Sequence, residues 1–114
     1  MDIDELASAI RATSTDPKVR YLSELLLKWK KDDSNVEHLQ SSVEEYIENS
    51  LQSNEPVHKE VCRLWSKFRD DAILGIHGMT MNERLYCFNL FARYDSAWKV
   101  ESKHAIYAKL LAKP

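Results

Sequence analysis

The sequence predicts an all-α fold, a compact irregular or orthogonal bundle of about six helices around a central buried helix at about residues 80–95. Three observations lead there. Helix formers dominate, and only two glycines and three prolines are present, few for a fold built from many tight turns. Apolar residues recur at helical spacing along nearly the whole chain. Within 79–98, Leu85, Tyr86, Cys87, Phe88, Leu90, Phe91, Ala92 and Tyr94 face almost every direction around a helical axis, leaving a narrow polar strip of Asn82, Asn89 and Arg93. A helix of that kind is normally enclosed on several sides. With 114 residues, 44% of them hydrophobic, the chain reads as a single domain over 1–114. Such a domain buries roughly 60–70% of its unfolded surface and needs no disulfide or metal to hold a core.

The first helix is expected from Asp2 to about Ala12, with Ile3, Leu6, Ala7 and Ile10 on one face and Asp2 paired with Glu5 as a cap. Asp16-Pro17 starts the second: the carboxylate accepts an orphan backbone N–H, and proline's fixed φ suits the first helical position. Its stripe is Val19, Leu22, Leu25, Leu26 and Trp29, and Lys28, Lys30 and Lys31 favour the negative end of the helix dipole. Ser34-Asn-Val-Glu37 matches a capping box for the third helix, which runs to about Leu51 on Val36, Leu39, Val43 and Ile47. Ser53 and Asn54 separate it from the fourth, which opens at Glu55-Pro56 and carries the cleanest stripe: Val57, Val61, Leu64, Trp65, Phe68, Ala72 and Ile76. Gly75 and Gly78 mark its end, where glycine adopts a left-handed conformation at least cost. Thr80-Met-Asn-Glu83 is a further capping box and begins the central helix, and a last helix spans about Ser102 to Ala112.

No catalytic signature stands out. Cys62 and Cys87 fall inside apolar helical patterns, where free cysteine behaves as a small hydrophobe, and there is no glycine-rich elbow or phosphate loop. The protein is therefore expected not to be an enzyme and to carry no cofactor. Widely spaced thiols without a disulfide framework suit a reducing cytoplasm, and neither a signal peptide nor a membrane span is expected. Two Glu-x-x-His pairs, Glu55/His58 and Glu101/His104, have the spacing of di-iron bundle ligands, with Glu44 or Glu48 and Glu83 as further candidates. Both pairs sit at helix starts, where glutamate serves the dipole, and no metal is expected. Residues 76–80 join two helices somewhat as a helix-turn-helix does, but the following helix offers Tyr, Phe and Leu rather than polar groups for base edges. Lys59, Arg63, Lys67 and Arg69 are interleaved with Glu60, Asp70 and Asp71, so nucleic acid is not an expected partner.

The charge distribution is more telling than the net charge of −2. Residues 32–58 carry seven acids, Asp32, Asp33, Glu37, Glu44, Glu45, Glu48 and Glu55, and not one Lys or Arg, while the rest of the chain is net +5. One reading is a solvated face. The other is electrostatic capture of a basic protein, which would relieve the self-repulsion of like charges and speed association. A protein that blocks a nucleic-acid-cleaving cleft needs such a surface, because the cleft is basic.

Asn82-Glu-Arg-Leu-Tyr86, Phe88, Arg93-Tyr-Asp95 and Ile106-Tyr-Ala-Lys-Leu110, within the last 35 residues or so, resemble the closing helices of small all-helical bacterial toxin-immunity proteins of the contact-dependent growth-inhibition type. The resemblance implies a cytoplasmic protein that neutralises a cognate toxin, often a nuclease, by direct binding without cofactor or turnover. It carries over no contact residue. The acidic segment is where the partner is expected to bind: Asp32, Asp33, Glu37, Glu44, Glu45, Glu48 and Glu55, with Tyr46 as an aromatic anchor if exposed. The alternative is a structural or regulatory helical module, an adaptor or weak homodimer that self-associates through exposed aromatics such as Trp29 or Trp98.

Overall fold

Helix follows helix from one end of the chain to the other. The computed structural model describes residues 1–51 and 55–114, with only the backbone at Glu55, so the expected separators Ser53 and Asn54 lie outside the described residues. The elements are α1 (Ile3–Thr13), α2 (Pro17–Trp29), α3 (Val36–Ser50), α4 (Glu55–Phe68), α5 (Met81–Cys87), α6 (Phe91–Ser96) and α7 (Val100–Lys109). A π-helical turn, Arg69–Ile73, continues α4, and a 3₁₀ turn, Ile76–Gly78, precedes α5. No strand occurs among the described residues. The radius of gyration is 14.4 Å with extents of 45 × 25 × 21 Å. A near-spherical chain of this length would have about 13 Å, so the bundle is somewhat elongated.

The caps hold where local chemistry defines them. Asp2 and Glu5 exchange backbone-to-carboxylate bonds of 2.9 Å at the start of α1, Asp16 accepts from the Lys18 N–H on α2, and Thr80 with Glu83 closes a box on α5. The box expected at Ser34 does not form. Asn35 is the cap and accepts from the His38 N–H, while the Ser34 hydroxyl donates to Asp32. Glu37 is thereby left facing solvent.

The expected stripes become the core. Ile3, Leu6, Ala7 and Ile10 of α1 pack along α2 and cross α4, and Val36, Leu39, Val43 and Ile47 close α3 onto the bundle. Each buried Leu or Ile contributes about 1.5–3 kcal/mol of transfer free energy.

The single central helix at about 80–95 is the main correction. α5 stops at Cys87, and Asn89 takes the left-handed conformation, φ 47°. Its N–H donates to the Tyr86 carbonyl at 3.1 Å and that of Leu90 to Leu85 at 2.9 Å, the bond pair of a Schellman stop. Asparagine tolerates this geometry better than most residues. The break serves Phe88, which is fully buried with its ring 5.3 Å from Trp29 and 5.6 Å, edge-on, from Phe68. Tyr86 is 57% exposed and α6 buries none of its residues, so the hub is one aromatic and not a whole helix. The glycines are also used differently: neither has positive φ, and the other left-handed residue is Leu111, φ 56°, which ends α7 by the same bond pattern.

Candidate functional site

α3 is a ridge between two grooves. Its exposed positions include Glu37, Ser41, Glu45 and Glu48. At 3.6 residues per turn they fall within about 80° of one another, and Glu37 to Glu48 spans about 16 Å. One groove, about 450 Å³, lies between α2 and α3 with Tyr21, Leu25 and Leu39 on its walls and Glu24, Lys28, Asp32 and His38 around it. The other, about 270 Å³, lies between α3 and α4 beside Glu48, Ile47, Cys62 and Trp65.

The structure divides the acidic stretch into two sets. Asp32, Asp33 and Glu44 have internal counter-charges that lie far away in sequence. Lys109 Nζ, fully buried, donates to the carbonyls of Trp29 at 2.6 Å, Asp32 at 2.8 Å and Ser34 at 2.8 Å, and to Asp32 Oδ1 at 3.1 Å. The ammonium also sits 3.8 Å from the Trp29 ring centroid, within cation–π range. Burial pushes the Lys109 ammonium below its ordinary pKa, with Asp32 opposing that shift. Partial burial pushes the Asp32 carboxyl up, but hydrogen bonds from Ser34 and Lys109 outweigh it and hold the group low. Arg93 donates to the carbonyls of Lys30 at 2.7 Å and Asp32 at 2.9 Å and pairs with Asp33 at 2.8 Å. Two cations from the C-terminal helices thus satisfy the carbonyls at the end of α2 that a helix leaves without partners.

Glu44 is likewise occupied. Its Oε2 accepts from the Trp65 indole and from Arg69, both at 3.0 Å. Burial raises its pKa and the bonds from Trp65, Arg69 and Gln40 more than reverse the effect, so the carboxyl is held low.

The second set is Glu37, Glu45 and Glu48. All three are exposed, and none has an ion partner among the described residues. The side chain of Glu55 lies outside the described residues. Tyr46 is half-buried, its hydroxyl donating to the Lys18 carbonyl and its ring 5.1 Å from Tyr21. Tyr21, 53% exposed, is the aromatic that faces solvent beside the ridge. In the sequence Tyr21 reads, with Leu27, as extending the apolar coverage of the second helix, and the fold instead leaves both exposed. Lys109 carried a readable signal: it shares the inward face of α7 with Ile106 and Leu110, and a cation on an apolar face needs partners.

The other constellations do not converge. His104 is exposed on α7, whereas His58 on α4 places Nε2 3.4 Å from Cys62 Sγ. No group of three or more His, Cys, Asp or Glu with metal-binding geometry occurs among the described residues. Burial pushes both the Cys62 and Cys87 thiols up, away from the reactive thiolate. Trp29 is buried, so of the two tryptophans considered for self-association only Trp98, 83% exposed, faces solvent. No helix among the described residues is long and apolar enough to cross a membrane. No family model, curated protein or solved structure matches the chain.

Proposed function

We propose that the protein is a non-enzymatic, immunity-type inhibitor that acts in the cytoplasm and binds a basic, nuclease-like toxin domain through the ridge of α3. One observation carries the reading: Glu37, Glu45 and Glu48 share one exposed sector without counter-charges among the described residues, while the neighbouring Asp32, Asp33 and Glu44 are neutralised internally. Fixed carboxylates left uncompensated along about 16 Å of rigid helix repel one another and attract a cationic surface. Tyr21 at the edge supplies the kind of amphipathic aromatic that anchors interfaces.

The partner is sought by affinity capture at low salt, and its association rate is then measured as salt rises. The reading expects a one-to-one complex whose association slows steeply with salt, by about ten- to a thousandfold over the accessible range. Glu37→Lys, Glu45→Lys and Glu48→Lys should together slow association far more than they speed dissociation. Association that ignores both salt and these charges would remove the electrostatic basis.

A second reading, self-association, is favoured by the exposure of Trp98, at 83%, in the α6–α7 connection and of Val100, at 63%, at the start of α7. It predicts a mass that rises with concentration and falls back to monomer in Trp98→Ala.

A further inference from the structure

A further groove lies on another side of α2 from the acidic ridge. It holds about 650 Å³ between the C-terminal end of α2 and α6. Leu27 and Ala92 provide its exposed apolar surface, with Leu90 buried beneath them, and every charged residue lining it is cationic: Lys30, Lys31 and Arg93. Two of these cations are held in place. Lys30 Nζ bonds both oxygens of Asp4 at 2.9 and 3.0 Å, and Arg93 is fixed by the turn carbonyls and Asp33. Lys31 is exposed and has no ion partner among the described residues. Arg93, 30% exposed, stays held by the Lys30 and Asp32 carbonyls if Asp33, whose side chain is 82% exposed, gives way to an incoming carboxylate.

We infer that this groove receives an acidic amphipathic segment of a partner protein, with apolar side chains laid on Leu27 and Ala92 and carboxylates directed at Lys31 and Arg93. Charge complementarity selects this occupant. An apolar floor ringed by cations matches a peptide that alternates the two kinds of side chain. Single-stranded nucleic acid fits worse, since no aromatic ring lines the groove for bases to stack on and the chain as a whole is net −2. A second copy's α3 also fits worse. It has carboxylates, but its apolar stripe is buried in its own core. The inference does not depend on the inhibitor reading, which concerns α3.

The test uses the full chain and a fluorescein-labelled amphipathic peptide of roughly fifteen residues, long enough to form a helix, built from Leu and Glu at helical spacing. Comparison probes are the same peptide with Lys for Glu and an oligothymidylate. At low salt the glutamate peptide should bind and shift the amide signals of Leu27, Ala92 and Ser96. Lys31→Glu and Leu27→Asp should each weaken it about tenfold, and Glu48→Lys should leave it unchanged. Circular dichroism checks that these exposed-site variants stay folded. Several results would overturn the proposal: no binding, binding that Lys31→Glu leaves intact, equal binding of the lysine peptide, displacement by the oligothymidylate, or self-association that buries the groove.

Discussion

Replacing Lys109 by Met keeps most of the side chain's volume and removes only the ammonium, which isolates what that charge does. Four acceptors lie within 2.6–3.1 Å of Nζ, and the side chain is fully buried. Not all of them are stranded when it goes. The Asp32 carbonyl still accepts from Arg93 at 2.9 Å, the Asp32 carboxylate keeps both bonds from Ser34, and the Trp29 carbonyl keeps a long turn bond of 3.3 Å from the Asp32 N–H. The Ser34 carbonyl loses its only side-chain donor, and Trp29 loses its short one. Two charge-assisted bonds at about 1.5 kcal/mol each put the loss near 3 kcal/mol. That is a large share of the roughly 5–15 kcal/mol available to a domain of this kind. In urea, with a slope of about 1.5 kcal/mol/M, the midpoint should fall by about 2 M at unchanged slope. Lys109→Arg should not rescue it, because a planar guanidinium does not match a compact cage of carbonyls built around a point charge. A loss below about 1 kcal/mol for Lys109→Met would refute the reasoning and mean that desolvating the ammonium nearly cancels its hydrogen bonds, a balance known for buried charges.

Acid should expose the other internal pairs. Glu44 and Asp32 are held below their ordinary values of 4.5 and 3.8, so the unfolded chain binds more protons in that range. Their stabilisation is complete above those values and drains as pH falls through the folded ones. Glu44→Gln should flatten the acid limb of a stability–pH curve. Because the Glu44 side chain is 38% exposed, screening keeps its share to about 1 kcal/mol at most; parallel acid limbs would count against the assignment. Asn89→Ala should cost about 1–2 kcal/mol, since alanine is strained in the left-handed conformation that stops α5, and an unchanged melting temperature would mean that the chain does not need the break. Trp98→Ala, at a side chain 83% exposed, should stay within about 0.5 kcal/mol of wild type, whereas Trp65→Ala in the core should cost about 3–5 kcal/mol; similar losses for the two would contradict the packing described.

The sequence by itself determined the features that near neighbours decide. The Asp2/Glu5 and Thr80/Glu83 boxes, the Asp16-Pro17 start and the stripes of α1 to α4 all depend on residues three or four apart, so the chain states them locally. The all-α class follows from the same signals. Where two local solutions compete, the sequence was less decisive. Ser34 and Asn35 are both good caps; the Ser34 hydroxyl is taken by Asp32, whose carboxylate also meets the distant Lys109, and Asn35 caps the helix. The break after Cys87 was hidden because the apolar run continues through it. What it accomplishes, seating Phe88 between Trp29 and Phe68, involves residues twenty to nearly sixty positions away. The candidate site was legible only in part for the same reason. An acidic stretch without nearby Lys or Arg looks uncompensated, yet Asp32 meets Lys109 across 77 residues, Asp33 meets Arg93 across 60 and Glu44 meets Arg69 across 25. Charge acts through space, and only the folded chain decides which charges are neighbours. Tertiary structure thus reduced the described acids of the stretch to three without counter-charges, Glu37, Glu45 and Glu48, and gathered Lys30, Lys31 and Arg93 around a separate groove.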